Sequence, residues 1–143
     1  MSKLIETRAE FQQLAEERLE EAKALLSLGK WGGAYYLAGY AVELALKACI
    51  IKHPMATDAF PAKDFTKDCY THDLGRLVEL ANLDGARQIA TKADAQLESN
   101  WPLTENWSEV KRYHQINQAE TEEFFNAVAD GVHGVFSWIK TQW

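Results

Sequence analysis

The 143-residue sequence has few of the residues that mark several common protein classes. Its two cysteines are too few for a disulfide framework. No alternating Val/Ile/Thr runs of the kind that predict β-strands are present, and only three prolines interrupt long runs rich in Ala, Leu, Glu and Lys. The sequence therefore predicts one all-α domain over residues 1–143, an antiparallel bundle of four main helices with a short extra helix.

Basic residues are also scarce, because 15 Lys and Arg face 21 Asp and Glu and give a net charge of -6. Nonspecific nucleic-acid binding rests on many Lys/Arg–phosphate contacts, so this balance argues against it and leaves only a small local basic site. The N-terminal MSKLIETRAE is too polar for a signal peptide. We expect a cytoplasmic protein.

Motifs for several kinds of chemistry are missing. No serine sits in a Gly-x-Ser-x-Gly turn and no Gly-rich phosphate loop is present, which excludes the common hydrolase and nucleoside-triphosphatase sites. Cys49-x3-His53 and Cys69-x2-His72 have spacings that a zinc ion accepts. However, the first pair ends an apolar helix, where a free cysteine usually packs as a small hydrophobe, and the whole pattern matches no zinc module. We predict no metal and no cofactor.

The chain does contain one long apolar run, WGGAYYLAGYAVELALKACI, from Trp31 to Ile50. Glu43 and Lys47 lie inside it, and a charge at the centre of a membrane span is costly. The run is therefore predicted to be the central helix of a soluble bundle, over about 32–52, ended by Pro54. One of its faces is a seam of small residues, namely Ala34, Ala38, Ala41, Ala45 and Ala48.

Other helices are predicted on either side of this run. The first spans about 3–28 and ends at Gly29, and one near 71–83 begins at Thr71. A short helix over about 86–99 follows, then an aromatic-rich connector, and a last continuous helix begins after Asn117. The intervening stretch 53–70, with two prolines, is predicted to be an irregular loop that acts as a lid or a disordered connector.

A polar stripe crosses the central helix opposite the alanine seam, formed by Tyr36, Tyr40, Glu43 and Lys47. In one interpretation the tyrosines cover core with their hydroxyls in water, and Glu43–Lys47 is an ordinary i,i+4 ion pair. In the other interpretation the stripe is a polar-lipped groove or an interface.

Arg112, Tyr113 and His114 form a second candidate site. If the chain is extended here, Arg112 and His114 project to the same side, just before the last helix, whose N-terminus attracts anions. An arginine that grips phosphate and a histidine that moves protons are the minimum for metal-free RNA cleavage. The alternative is that Arg112 caps or pairs within the connector, Tyr113 packs and His114 is merely exposed.

Three segments together resemble the small prokaryotic HEPN (higher eukaryote and prokaryote nucleotide-binding) domains. They are RLEEAKALLSLGKWGGAYYLAGYAVELALKACI, THDLGRLVELA and WSEVKRY. Glu43 and Leu46-Lys47 look like the family's Glu-x-x-Leu-Lys signature, and His72-x-Leu74 is the second match. The resemblance covers about Phe11 to Ile139.

This resemblance implies an antiparallel helical bundle, often dimeric, with a groove near the last helix. Many members act beside a small nucleotidyltransferase as a toxin–antitoxin pair, and others are ribonucleases with an Arg-x4-6-His motif assembled across a dimer. The present sequence departs from that motif, because one residue alone separates Arg112 from His114. The fold therefore transfers more directly than ribonuclease activity does.

Three functional hypotheses follow. The first is a homodimeric nucleotide- or RNA-binding module that docks a nucleotidyltransferase-type partner in a toxin–antitoxin-like or defence system. In it Arg112 and Lys47 contact phosphate, and the tyrosines stack on or hydrogen-bond a base. The second is a metal-independent endoribonuclease with Arg112 and His114 as catalytic residues. The third is an oligomerisation partner anchored by exposed tryptophans, Trp101, Trp107 and Trp143.

Overall fold

The computed structural model describes residues 2, 4–56 and 67–143, without the side chains of 53–56. These residues form seven α-helices and one 3-10 helix, and they contain no strand. The helices are α1 Arg8–Ser27, α2 Trp31–Ala56, α3 Leu74–Leu80, α4 Asp84–Ala93, α5 Ala95–Glu105, the 3-10 helix Glu109–Tyr113, α6 Gln118–Ala129 and α7 Val135–Lys140. The predicted all-α helical bundle is confirmed.

The first helix begins later than predicted, at Arg8 instead of residue 3. Thr7 starts it with a capping box: its side chain accepts a hydrogen bond from the Glu10 N–H, and the Glu10 carboxylate accepts one from the Thr7 N–H. Helical spacing would place Leu4 on the core-facing stripe of a helix that began at residue 3, but Leu4 lies before this cap and is exposed. The chain leaves α1 through Gly29, whose φ of 73° lies in the left-handed region that favours glycine.

The central helix α2 carries the core of the bundle. All five alanines of the predicted seam are completely buried, and α1 packs along this helix with its own buried Ala15 and Ala22. The window Trp31–Lys52 is long and apolar enough to cross a membrane by length and composition, but 72% of it is buried inside the protein. It therefore serves as the core helix of a globular bundle.

The end of α2 differs from the prediction, because the helix continues through Pro54 to Ala56. Residues 53–56 of the stretch predicted to be irregular are therefore helical. Its central part, residues 57–66, lies outside the described residues.

The predicted last helix is divided in two by a turn at residues 130–134. The Asp130 carboxylate accepts the backbone N–H groups of Val132 and His133, at 2.9 and 2.7 Å. A Cβ at Gly134 would overlap the Asp130 carbonyl, so the turn requires a glycine at this position. In a continuous helix the spacing predicts Val132 in the core and His133 on the wet face. In the structure Val132 is 80% exposed, and the His133 ring bonds Asp94 at 2.6 Å.

The middle of the chain is more helical than predicted. Asp73, not Thr71, caps α3. The Asp84–Gly85 pair, whose turn-forming residues predict the end of the preceding helix, instead begins α4. Asp94 then starts α5, which contains Trp101. Trp101 and Trp107 are buried, so their predicted role as exposed anchors of an interface is wrong.

Candidate functional site

The Glu43 carboxylate is buried in α2, and its side chain is bonded on both oxygens. Oε2 accepts from Lys47 Nζ at 3.1 Å, one helical turn along, and Oε1 lies 2.8 Å from His72 Nδ1. His72 precedes α3, so this contact ties α3 to the central helix. We call Glu43, Lys47 and His72 the Glu43 cluster.

Burial determines what the Glu43 cluster offers a ligand. Glu43 is 1% exposed, and a buried carboxylate is tolerated only when it is well paired. The Lys47 side chain is 15% exposed, and its ammonium is committed to Glu43. Both the acid and the lysine predicted for ligand contact thus have their charges balanced within the protein, whereas half of the His72 side chain is open to solvent.

Two tyrosines lie next to this cluster on the same stripe of α2. The rings of Tyr36 and Tyr40 are nearly parallel, 10° apart, with centroids separated by 6.4 Å. Burial, then the nearby negative charge of Glu43, raises the pKa of Tyr40, while Arg18 lowers it. The Tyr40 hydroxyl therefore stays protonated at neutral pH and is available as a hydrogen-bond donor.

Trp107, in the segment that follows α5, packs against this stripe. Its ring centroid lies 5.7 Å from that of Tyr36, at a tilt of 41°. The indole lies directly on Gly39 of α2, where a Cβ would overlap it. Because Gly39 lacks a side chain, the chain after α5 can approach α2 closely enough to bring the 3-10 helix beside Tyr36.

Arg112 and Tyr113 reach the stripe from this 3-10 helix. Arg112 Cζ lies 5.0 Å from the centroid of the Tyr113 ring. Hydrogen bonding to Tyr113, and further on to Tyr36, raises the pKa of the Arg112 guanidinium. Among the described residues no carboxylate lies within 4 Å of this exposed cation. We call Tyr36, Tyr40, Arg112 and Tyr113 the tyrosine face.

The extended conformation under which Arg112 and His114 would project to the same side does not occur, because Arg112 and Tyr113 belong to the 3-10 helix Glu109–Tyr113. Tyr113 is 76% exposed, so it does not pack in the core either. His114 follows the helix, and its backbone N–H donates to the Lys111 carbonyl at 3.0 Å. Within the described part of the chain its ring has no hydrogen-bond or ion-pair partner that would orient it as a proton carrier.

Arg18 joins the site from α1. The sequence leaves open whether its stem packs and its head reaches water, or whether it pairs with an acid on another helix. In the structure Arg18 Nη1 donates to Glu21 Oε1 at 2.7 Å, within the same helix, and its charge influences Tyr40.

The cysteine–histidine pairs do not converge in the described residues. The Cys49 thiol is buried 4.0 Å from the Ile139 carbonyl, and burial raises its pKa to about 11. Burial also raises the pKa of Cys69, and His72 is engaged by Glu43. No group of three or more His, Cys, Asp or Glu suited to a metal occurs in the described ranges, which exclude the side chain of His53.

Sequence reasoning missed Gly39 and Trp107, the pair that brings two distant segments together. A glycine inside an otherwise strong helix is a signal of close packing, since it costs about 1 kcal/mol relative to alanine. Nothing in the local sequence, however, says which residue fills the space above it.

The model of the HEPN domain family matches residues 10–141, nearly the whole chain. No match was found among curated proteins or among solved structures.

Proposed function

Because the chain belongs to the HEPN domain family, which implies a nucleotide- or RNA-related function, we propose that it is a nucleotide- or RNA-binding module that uses the tyrosine face. Arg112 carries this proposal. It is an exposed guanidinium with tyrosine rings around it and, among the described residues, no carboxylate to neutralise it. Guanidinium groups bind phosphate strongly, and tyrosine rings stack on bases.

The four residues of the tyrosine face take different roles in this proposal. Arg112 contacts a phosphate oxygen, Tyr36 and Tyr113 provide ring surface for a base, and Tyr40 donates its hydroxyl. Glu43 and Lys47 support the site from beneath, because they are bonded to each other and the Glu43 carboxylate is buried. His72 completes this support from the start of α3.

The proposal extends to partners and location. We propose that the protein forms a homodimer and acts with a small nucleotidyltransferase in a toxin–antitoxin-like or defence system in the cytoplasm. The support is the family resemblance of the Glu43-x-x-Leu46-Lys47 and His72-x-Leu74 segments. Light scattering after size-exclusion chromatography tests the dimer, and co-purification from the native host tests the partner.

Binding is tested by fluorescence anisotropy with a short, labelled single-stranded RNA at an ionic strength of about 0.15 M. We expect Arg112→Ala to raise the Kd about tenfold, since one charge-assisted hydrogen bond contributes about 1.5 kcal/mol. Arg76→Ala is the matched control: it removes the same charge, but Arg76 is neutralised by Asp68 and Glu79. Equal effects of the two variants, or no binding by the unaltered protein, would contradict the proposal.

The same mixtures are incubated and run on a gel to test the endoribonuclease hypothesis for Arg112 and His114. Cleavage that His114→Ala abolishes would support a ribonuclease. RNA that stays intact through a long incubation with the pure protein counts against it.

A further inference from the structure

Charge on the tyrosine face limits what it can bind. Three cations lie along this stripe of α2 within the described residues: Lys47 bonds Glu43, Arg112 reaches Tyr36 from the 3-10 helix, and Arg18 is close enough for its charge to lower the pKa of Tyr40. Lys47 is balanced by Glu43, and Arg18 by Glu21 at 2.7 Å. Arg112 is therefore the cation on the described face whose charge is left for a ligand.

Among the residues described, the same face offers no free carboxylate that could hold a bridging cation for a further phosphate. A divalent ion that carries a di- or triphosphate needs carboxylate oxygens, and both oxygens of Glu43 are taken by Lys47 and His72. The net charge of -6 also repels a polyanion as a whole.

Ring surface, in contrast, is plentiful. The Tyr36 and Tyr40 rings are parallel within 10°, and Tyr113 is 76% exposed beside Arg112. Because Arg112 lies over the Tyr113 ring, its N–H groups are held next to a surface on which a base can stack. One set of hydrogen-bond donors for a phosphate therefore lies beside ring surface for one base.

Resting on the proposed function, we infer that the tyrosine face binds one base with one phosphate. This chemistry is that of a nucleoside monophosphate or of a single nucleotide within an RNA strand. A nucleoside triphosphate or a duplex, which needs several phosphate contacts, does not fit it.

The salt dependence of binding tests this inference. For single strands the slope of log K against log salt is about -0.7 for each phosphate neutralised. One contact predicts that the Kd of a short single-stranded RNA rises only about threefold between about 50 and 200 mM salt, whereas three contacts predict a rise of nearly twentyfold. We expect the shallow dependence, and Arg112→Ala removes most of it. A slope of -1.4 or steeper, equivalent to two or more contacts, overturns the inference.

Competition with free nucleotides provides the second readout. Nucleoside monophosphates are titrated against the labelled RNA, with the matching triphosphate and a duplex as comparisons. Displacement of the RNA by a monophosphate shows that a free nucleotide can be the ligand. RNA binding without such displacement shows that the ligand is a nucleotide within a strand. The inference is overturned if a triphosphate or a duplex binds more than tenfold tighter than both the monophosphate and the single-stranded RNA.

Stacking is tested with Tyr113→Leu, a change at an exposed ring that leaves the core intact. We expect about a tenfold rise in Kd, because the change removes the ring on which a base stacks, and we expect Tyr113→Phe to restore binding. An unchanged Kd in Tyr113→Leu contradicts the stacking part. If the unaltered protein binds none of these probes, the proposed function itself fails, whereas tight binding with a steep salt slope overturns only this inference.

Discussion

The Glu43 cluster and the tyrosine face lie side by side on one stripe of α2, yet they leave different groups free. In the Glu43 cluster an acid, a lysine and a histidine satisfy one another at 2.8–3.1 Å around a buried carboxylate. On the tyrosine face an exposed arginine contacts rings and, among the described residues, no acid. The Glu43 and Lys47 signature residues therefore support the fold, whereas the exposed cation suited to a ligand, Arg112, comes from a segment about 70 residues further along the chain.

The largest expected effect is on the stability of the Glu43 cluster. Lys47→Met should lower the free energy of unfolding by about 3 kcal/mol, because it leaves the buried Glu43 carboxylate with the half-exposed His72 as its described partner. Urea denaturation, monitored by circular dichroism, measures the change in the free energy of unfolding. Lys52→Met, at an exposed lysine of the same helix, is the control and should change stability by less than about 0.5 kcal/mol.

The double variant Glu43→Leu with Lys47→Met tests whether the Glu43 cluster supports the fold without contacting the ligand. Replacing a buried ion pair by apolar residues of similar size is often neutral or stabilising, so the double variant should recover most of the lost stability. It should also bind RNA within about threefold of the unaltered protein. A double variant that is stable but does not bind would show that the Glu43 cluster contacts the ligand. It would contradict the conclusion that this cluster only supports the fold.

A smaller effect is expected at the junction of α2 with the chain that follows α5. Gly39→Ala places a methyl group where the Trp107 indole lies, and such overpacking costs about 1–3 kcal/mol. Displacement of Trp107 should also weaken RNA binding, since its ring packs against Tyr36. Thermal denaturation and near-UV circular dichroism report the two changes.

Gly32→Ala is the matched control for Gly39→Ala, because nothing lies within 4 Å of a Cβ at Gly32. It should leave stability unchanged or raise it by up to about 1 kcal/mol. If Gly39→Ala behaves like Gly32→Ala, Trp107 does not hold the tyrosine face in place.

The smallest expected effect on stability is that of Arg112→Ala. Arg112 is exposed and makes no ion pair within the described residues, so the free energy of unfolding should change by less than about 0.5 kcal/mol although RNA binding weakens about tenfold. Arg87→Ala serves as the contrast, because the half-buried Arg87 bridges Asp84 and Glu105 and should cost about 1 kcal/mol or more. A similar loss in Arg112→Ala would make Arg112 a structural brace.

Much of the fold could be predicted because it depends on local patterns. Apolar spacing places the alanine seam of α2 in the core, and Asn117 caps α6 as its side chain predicts, with its oxygen 2.8 Å from the Glu120 N–H. The failures are also physical. Val132 fits the period of a long helix, but the Asp130 carboxylate captures the backbone N–H groups that would have continued it.

The candidate site could be predicted only in part. The stripe of Tyr36, Tyr40, Glu43 and Lys47 follows from helical spacing within one element. Its partners do not: His72, Trp107 and Arg112 reach it from other segments. The periodicity of a helix says which side chains share a face, but it contains no information on which residue of a distant segment will cover that face.

By itself, the sequence determined that this protein is an all-α bundle around one apolar helix, that it resembles HEPN domains, and that Glu43 shares a face with two tyrosines. Helix spacing, end caps and net charge act over a few residues or over the chain as a whole, so they can be read without a structure. Tertiary structure alone decided that the Glu43 carboxylate is buried and bonded by His72 as well as by Lys47, while Arg112 lies beside the tyrosines with no carboxylate partner among the described residues. The reason is that pairing and burial depend on the close approach of segments far apart in the chain. The segment with Trp107 and Arg112 can approach α2 because Gly39 has no side chain.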